Sequence, residues 1–311
     1  MVKTAAALGA VALVALGGAC GVADASPAVQ TAEPMIVAHR AGTGDFPENT
    51  VLAITNAVAA GVDGVWLTVQ VSSDGVPVLY RPSDLATLTD GTGPVNSKTA
   101  QQLQQLNAGW SFTAPGVDGY PYRQRPTPIP TLEQAIAATA PDMALFLDLK
   151  QTPAQPLVLA VAHALRKAGA VERSIVYSTD ADITHAASEQ QGLRVAESRD
   201  ITRERLLNMS LNHRCAPAPN PGKWAGFELH RDVTVTEEFT LGAGVSQVNA
   251  ELWDPASVEC FKSQSGRQVM GFAVKTVDDY RLAQKIGLDA VLVDSPRAAQ
   301  HWRDGQVRPG Q

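Results

Sequence analysis

The segment that decides the fold reads His39-Arg-Ala-Gly-Thr-Gly-Asp-Phe-Pro-Glu-Asn-Thr50. It follows a short apolar run, Met35–Ala38, and leads into a helical pattern with Asn49 as a capping residue. A second apolar run, Gly64–Val71, begins soon after that helix. A strand, a polar loop, a helix and a strand in this order predict an α/β fold with polar side chains in its first loop.

The same alternation continues to the end of the chain. Strands are predicted at 35–38, 64–71, 76–80, 144–149, 174–178, 193–196, 226–229, 245–249, 269–274 and 290–293. Helices are predicted at 50–60, 132–140, 156–168, 181–191, 236–241, 255–265 and 277–286. Several strands are continuous runs of β-branched residues and leucine, which is typical of parallel strands covered on both faces. We expect one domain over 35–305. A closed (β/α)8 TIM-type barrel fits better than an open sheet, because no Gly-rich phosphate loop follows the first strand.

Residues 82–130 interrupt this alternation after the third strand. The segment is rich in Gly, Pro and Thr and contains Trp110, Phe112, Tyr120 and Tyr122. Long irregular insertions of this kind often carry function. Two interpretations remain open, a lid or subdomain over the barrel mouth and a loop that merely packs on the barrel.

The composition is that of an ordinary globular protein, with 45% hydrophobic and 18% charged residues. A net charge of −6 gives no basic stripe, so we expect no nucleic-acid partner. Residues 1–25 are typical of a signal peptide, with Lys3 before an apolar run and Ala23-Asp-Ala25 as a cleavage site. Alternatively, cleavage after residue 19 exposes Cys20 for lipidation. We expect an exported protein that is secreted, periplasmic or lipid-anchored. No later apolar run is long enough to span a membrane.

The cysteines also bear on whether the protein is exported to an oxidising compartment. Besides Cys20, only Cys215 and Cys260 occur. In an oxidising compartment these two residues predict a disulfide, and two free buried thiols are the alternative.

Further segments extend the pattern set by the first loop. They are Asp74–Val78, Thr89–Gly93, Asn107–Gly109, Ile129–Glu133, Leu147–Lys150 and Gly287–Pro296. In order and spacing they resemble the glycerophosphodiester phosphodiesterase family over nearly all of the chain after the leader. The resemblance implies a barrel of the PLC-like phosphodiesterase type. It also implies a small phosphodiester or a phospholipid headgroup as the ligand. Members of the family cut phosphodiesters with a bound divalent metal and two histidines.

The predicted site is built by His39, Arg40, Arg81, Asp148 and Lys150, with Glu48 in support and with Arg81 as a second phosphate clamp. His39 ends the first strand, where barrels place their chemistry, and can carry a proton near neutral pH. Arg40 can clamp a phosphate through two hydrogen bonds. Glu48 is expected to fix the first loop and orient Arg40. Asp148 matches an acid of the family's metal site, and Lys150 is expected to bind the substrate phosphate with support from Asp148.

The departures from the family concern the remaining site positions. The family's Glu-x-Asp pair on the second strand corresponds to Trp66 and Thr68, and its second histidine corresponds to Arg81. Calcium requires six to eight oxygen ligands, which an indole, a hydroxyl and Asp148 cannot supply. We therefore expect no cofactor and no tightly held metal, which leaves at most a weakly held cation near Asp148.

Two hypotheses follow. In the first, cations replace the metal in a phosphoric diester hydrolase, with Arg40, Arg81, Lys150 and Lys275 as candidates and His39 as the proton carrier. The metal-free phosphatidylinositol-specific phospholipases C of bacteria have a similar barrel. The second acid or base would then be His230 or Asp148. In the second hypothesis, the protein is catalytically impaired and binds phosphate-containing headgroups.

Overall fold

A computed structural model describes residues 32–114, 116–218, 224–263 and 266–305, all within the unit Thr31–Gln311. The predicted signal peptide and Cys20 lie outside the described residues. The described strands are β1 (Met35–His39), β2 (Gly64–Val71), β3 (Pro77–Leu79), β4 (Ala144–Leu149), β5 (Ser174–Tyr177), β6 (Arg194–Val195), β7 (Trp224–Glu228), β8 (His230–Phe239), β9 (Gly242–Glu251), β10 (Gln268–Val274) and β11 (Ala290–Val293).

The described helices alternate with the strands. They are α1 (Val51–Ala59), α2 (Ala100–Leu103), α3 (Leu132–Ala137), α4 (Ala154–Lys167), α5 (Ala181–Ser188), α6 (Arg199–Asn212), α7 (Pro255–Lys262), α8 (Val277–Ile286) and α9 (Pro296–Arg303). Hydroxyl side chains fix where several of them begin. Thr50 accepts from the Ala53 amide at the start of α1, and Thr276 forms a capping box with Asp279 at the start of α8.

Eight parallel strands form the main sheet of the described residues. Their order is β6-β5-β4-β2-β1-β11-β10-β7, and β3 adds to β2 as an antiparallel neighbour. The two end strands come together where the Glu197 amide donates to the Trp224 carbonyl over 2.7 Å. The sheet is therefore a nearly closed barrel, which confirms the predicted (β/α)8 fold class.

The strands bury side chains on both faces, as their unbroken apolar runs predict. Outward-facing residues such as Ile36, Leu67 and Leu145 pack against the helices. Inward-facing residues are largely aromatic, with Trp66 and Phe146 among them. The barrel interior is therefore a packed core, and a polar site is available only at its mouth.

The insertion 82–130 packs around a small core of its own, built by β3 and residues including Leu85, Leu103 and Ile129. It also abuts the first loop at Gly109. A Cβ atom at that position would lie 2.6 Å from Tyr122 Cβ and 3.2 Å from Pro47 Cγ, so only glycine allows the approach. The insertion is thus packed on the barrel beside the predicted site, and its action as a lid stays a prediction.

Residues 230–251 depart from the sequence prediction. The predicted helix at 236–241 is wrong, because these residues form the end of β8 and the turn into β9. The predicted strand at 245–249 exists, but it belongs to the separate two-stranded β8–β9 sheet and not to the barrel. Helices α6 and α9 were not predicted. The alternating Val233-Thr-Val-Thr236 run is typical of a strand, but the charged Glu237 and Glu238 that follow it have low strand propensity and concealed its continuation.

Cys215 and Cys260 form a disulfide, so the structure selects this alternative over two free thiols. It ties the segment after α6 to α7. Among the described residues, no helix has the length and apolar character needed to cross a bilayer.

Candidate active site

The carboxyl ends of neighbouring strands bring the polar residues together at the barrel mouth. Strand pairing aligns His39 of β1 with Trp66 of β2, and Thr68 of β2 with Asp148 of β4. Asp294 follows the last residue of β11, which is the other neighbour of β1. Because aligned residues of parallel strands point to the same face, these side chains converge inside the mouth.

His39 is held by a carboxylate at the opposite end of the sequence. Its Nδ1 atom lies 2.6 Å from Asp294 Oδ1, and the His39 side chain is about a quarter exposed. This hydrogen bond lowers the pKa of Asp294, and the charges of His39, Arg40 and Lys275 act in the same direction against a smaller effect of burial. Asp294 is therefore an ionised acceptor. A proton on Nδ1 directed at Asp294 leaves Nε2 to face the mouth, since a neutral imidazole has one donor and one acceptor.

The loop after β1 is a tight turn that presents Arg40. Arg40, Ala41 and Gly42 all have positive φ values of 49°, 65° and 101°. A Cβ atom at Gly42 would meet the Pro296 ring at 2.8 Å, so the close approach of this loop to the start of α9 requires glycine. Glu48 Oε2 accepts from Arg40 at 2.6 Å and from Thr43 at 3.0 Å. The Arg40 guanidinium is thus fixed beside the mouth with donors left for a ligand.

Asp148 and Lys150 form the second charged group of the site. Lys150 Nζ lies 3.3 Å from Asp148 Oδ1 and donates to Thr179 Oγ1 at 2.7 Å. Burial raises the pKa of Asp148, while Lys150, the Trp66 side chain and His39 oppose the shift. Because His39 and Trp66 both lower the pKa of this carboxyl, all three groups lie close to one another. The site therefore combines a buried acid, a fixed imidazole and two cations.

Trp66 occupies the position at which the resemblance places a metal-binding glutamate. It is 5% exposed. Its ring centroid lies 4.9 Å from that of Tyr177 and 5.3 Å from that of Phe272, and the ring stacks on Phe146. The indole is thus part of the aromatic core of the barrel. It offers one N–H donor and no oxygen.

The donor set does not fit the divalent metal that the resemblance implies. Thr68 has a buried hydroxyl without a hydrogen-bond partner among the described residues, and Asp148 supplies one carboxylate that Lys150 already neutralises. These oxygens are far fewer than calcium takes from a protein, and the one carboxylate that could hold a hydrated magnesium ion is already paired with Lys150. In the part of the chain that the structure describes, no group of three or more His, Cys, Asp and Glu residues is placed to hold an ion.

The structure does not bring every candidate residue into this cluster. The Arg81 side chain is exposed and contacts none of the groups above through a hydrogen bond or ion pair among the described residues. Its role as a clamp stays a prediction. His230 lies 3.1 Å from Asp279 and 3.4 Å from Glu251, which ties it to the base of the β8–β9 hairpin. Of the two alternatives for a second proton carrier, this geometry favours Asp148.

Sequence reasoning missed Asp294 as a site residue, although the segment Gly287–Pro296 was recognised. The position of Asp294 directly after the last barrel strand was the available signal, because such a residue lies at the mouth next to the first strand. It also missed the group formed by Tyr177, Arg199 and Glu228. Arg199 donates to both Glu228 oxygens at 2.5 and 2.7 Å, and burial raises the pKa of Tyr177. This group borders the mouth through the ends of β5 and β7.

Known proteins resemble this chain in sequence and in fold. The sequence profile of the "Glycerophosphoryl diester phosphodiesterase family" matches residues 39–298. The chain belongs to the glycerophosphoryl diester phosphodiesterase family. Membership confirms the prediction that leaned towards an enzyme, a phosphoric diester hydrolase of the glycerophosphodiester phosphodiesterase type.

Several relatives illustrate how far the similarity extends. Protein Rv2277c of Mycobacterium tuberculosis strain H37Rv is 82% identical over 291 residues, or 94% of this chain and 97% of that protein. The crystal structure of its glycerophosphoryl diester phosphodiesterase domain has a TM-score of 0.82 at 81% identity, covering 88% of this chain and 100% of that chain. Human glycerophosphodiester phosphodiesterase 1 is 36% identical over 115 residues, which are 37% of this chain and 33% of that protein. An Oleispira antarctica phosphodiesterase, with a TM-score of 0.63 and 22% identity over 87% of this chain and 97% of that one, shares the fold.

Proposed function

We propose that this protein hydrolyses glycerophosphodiesters through a site that does not depend on a divalent metal. The observation that carries the proposal is the occupation of the metal position by Trp66, beside an intact group of His39, Asp294, Asp148 and Lys150. The proposal assigns proton transfer and phosphate binding to these residues, at a mouth where Trp66 and Thr68 stand at the positions of the family's metal donors.

His39 is the proton carrier of the proposed reaction. Asp294 orients the ring through Nδ1, so Nε2 can accept a proton from the attacking oxygen or deliver one to the leaving oxygen. Asp148 is the second proton group. Its buried position raises its pKa, which moves it towards the range where a carboxyl can give and take a proton.

Lys150 and Arg40 neutralise the phosphate in place of an ion. Lys150 is anchored by Thr179 and Asp148, and Arg40 by Glu48, so both cations are held before a ligand arrives. Fixed charges of this kind stabilise the charge that develops on phosphate oxygens without reorganisation during the reaction. Arg81, if it folds towards the mouth when a ligand is bound, adds a third cation.

The glycerol phosphate moiety is the part of the substrate that we assign. The Oleispira antarctica phosphodiesterase of the same fold was solved with the product sn-glycerol-3-phosphate. The family membership of this chain and the cations at its barrel mouth support the same moiety for this protein. We also propose that the protein is exported, with residues 1–25 removed as a signal peptide or with Cys20 lipidated. Mass spectrometry of the N-terminus of the mature protein separates the two forms.

An assay of glycerophosphocholine hydrolysis tests the proposed activity. Wild-type protein is expected to release sn-glycerol-3-phosphate, and His39→Ala is expected to lower kcat by about 10²–10⁴-fold, the usual contribution of a general acid–base group. His163→Ala is the matched control, since this histidine is exposed on α4 and should leave the rate unchanged. A wild-type protein without turnover on this substrate or on a chromogenic phosphodiester would overturn the proposal. If sn-glycerol-3-phosphate then still raised its Tm, headgroup binding would be the function.

A further inference from the structure

The β8–β9 hairpin extends from the barrel mouth with both of its outer edges open. Each strand has ten residues, and the two strands pair only with each other among the strands that the structure describes. A two-stranded hairpin alone is marginally stable in water, and a long edge strand without proline or lysine is a template for pairing with another strand. The open edges of this hairpin are therefore available to a further strand.

The sequence of β8 is complementary to itself when read in the opposite direction. We propose that β8 pairs antiparallel with β8 of a second copy of this chain, about a two-fold axis at Thr234. In this register Arg231 lies opposite Glu237 of the other copy, and Val233 lies opposite Val235. Cross-strand pairs of opposite charge and of β-branched side chains are those that stabilise a sheet.

The pairing also extends the apolar face of the hairpin. Within one copy Val233 is aligned with Val248, and Val235 with Ser246. Cross-strand partners share a face of the sheet. Val248 and Val233 of one copy and Val235 of the other therefore form a row across the four-stranded sheet, and the two-fold axis generates a second, equivalent row. Val235 and Val248 are 42% and 44% exposed in the single chain, so each row gives exposed β-branched residues new neighbours.

The edge of β9 does not offer the same match. It contains glycine, alanine, valine and uncharged polar residues up to Asn249, so its antiparallel self-pairing brings no opposite charges together. A lipid surface is the other possible occupant of the hairpin, because Phe239 and Leu241 at the tip are 62% and 99% exposed. Glu237 and Glu238 beside that tip oppose binding to an anionic membrane, whereas they complete the pairing with a second copy.

A cross-linking experiment tests the register. The two Thr234 residues would face each other across the axis with Cα atoms about 4.5–5.5 Å apart, which is within disulfide range. Thr234→Cys is expected to form a reducible covalent dimer under mild oxidation. Gln247→Cys is the matched control, because Gln247 is the partner of Thr234 in the same chain at 3.0 Å and both variants lose that contact. The Gln247 positions of the two copies would be separated by three strand spacings, about 14 Å.

A charge exchange tests the same pairing without cysteine chemistry. Sedimentation velocity of the wild-type protein is expected to show twice the monomer mass. Arg231→Glu and Glu237→Arg are each expected to return the monomer, and the double variant is expected to restore the dimer. Arg231 also lies 3.7 Å from Glu228, and this contact is lost in both the single variant Arg231→Glu and the double variant. A dimer restored by the double variant therefore does not result from repair of that contact. Glu204→Arg, an exposed position on α6, controls for the change in net charge.

Several results would overturn the proposal. A Thr234→Cys protein that remains uncross-linked, or that cross-links no more than Gln247→Cys, contradicts the register. A double charge variant that remains monomeric contradicts the pairing. A monomeric wild-type protein that sediments with phosphatidylcholine vesicles, and loses them on Leu241→Ser, assigns the hairpin to a lipid surface instead.

Discussion

The Nδ1 atom of His39 lies 2.6 Å from Oδ1 of Asp294, a residue 255 positions further along the chain. The contact joins the ends of β1 and β11, which are neighbours in the barrel although they are the first and last barrel strands in the sequence. It fixes the orientation of His39, the histidine at the mouth whose segment resembles the family's catalytic segment. The proton chemistry that we propose therefore depends on a carboxylate outside the segment that identifies the family.

Replacing Asp294 by asparagine is expected to lower kcat while leaving KM nearly unchanged. The amide can hold the ring but carries no negative charge to offset the charge that the ring gains during proton transfer, so we expect a loss of about 10²-fold, within the range of general acid–base catalysis. A positioning role predicts in addition that the pH profile changes, because the ionised carboxylate that contacts Nδ1 of His39 is then absent. Steady-state kinetics over a pH series of both proteins measure this. An unchanged pH profile would show that Asp294 does not act through His39.

Replacing Asp148 by asparagine is expected to raise the Tm at neutral pH. Burial raises the pKa of this carboxyl above its ordinary value of 3.8, so folding favours the protonated form more than the unfolded chain does. Its ionisation costs stability above the folded pKa, and that cost disappears as the pH falls below 3.8. The gain of Asp148→Asn over wild type should therefore shrink on acidification. Thermal melts at several pH values test this, with exposed Asp118→Asn as the control. A lower Tm at neutral pH would show that the Lys150 pair outweighs the burial.

Opening the disulfide is expected to lower the free energy of unfolding by about 4 kcal/mol, according to the loop-entropy relation for a loop of this length. Cys215 and Cys260 are separated by 45 residues. Denaturant unfolding of wild-type protein and of Cys215→Ser/Cys260→Ser tests the value, and a reductant should affect only the wild type. Equal stability of the two proteins would show that packing around α7 alone holds this region.

Truncating Trp66 is expected to cost about 3–5 kcal/mol of folding stability, the usual effect of removing a large aromatic side chain from a core. Its ring contacts Phe146, Tyr177 and Phe272, so its loss leaves a cavity inside the barrel. Trp110→Ala, in the more exposed insertion, should cost clearly less. Denaturant unfolding compares the two variants. If Trp66→Ala were as stable as wild type, the indole would not be the filler of the former metal position.

The sequence predicted the barrel well because its strands are covered on both faces. Gly64–Val71 and Ala144–Leu149 are predominantly apolar runs, and both are found as strands with the predicted bounds. Helix α6 was missed because Arg199–Asn212 is largely polar and buries few side chains, Leu206 among them. Its apolar periodicity is too weak to indicate a helix.

The grouping of the candidate site residues was predicted only in part, because local sequence order identifies some of them and only the closure of the barrel identifies the others. His39, Arg40, Asp148 and Lys150 lie in segments whose local order resembles the family, and the structure places them at one mouth. Asp294 could be recognised only from the closure of the barrel, which is a long-range property. The hairpin of β8 and β9 was misread because its strands are exposed on both faces and carry little of the periodicity that marks a half-buried strand.

The rate of glycerophosphocholine hydrolysis in the presence of a chelator tests the central claim most directly. The wild-type protein, freed of metal, should retain its kcat/KM in EDTA and gain little from added calcium or magnesium, because Trp66, Thr68 and Asp148 do not form a divalent site. His39→Ala should keep its about 10²–10⁴-fold lower kcat in all three conditions, which shows that the turnover of the wild type belongs to this site. Activity that disappears in EDTA and returns in proportion to added calcium or magnesium would contradict the account.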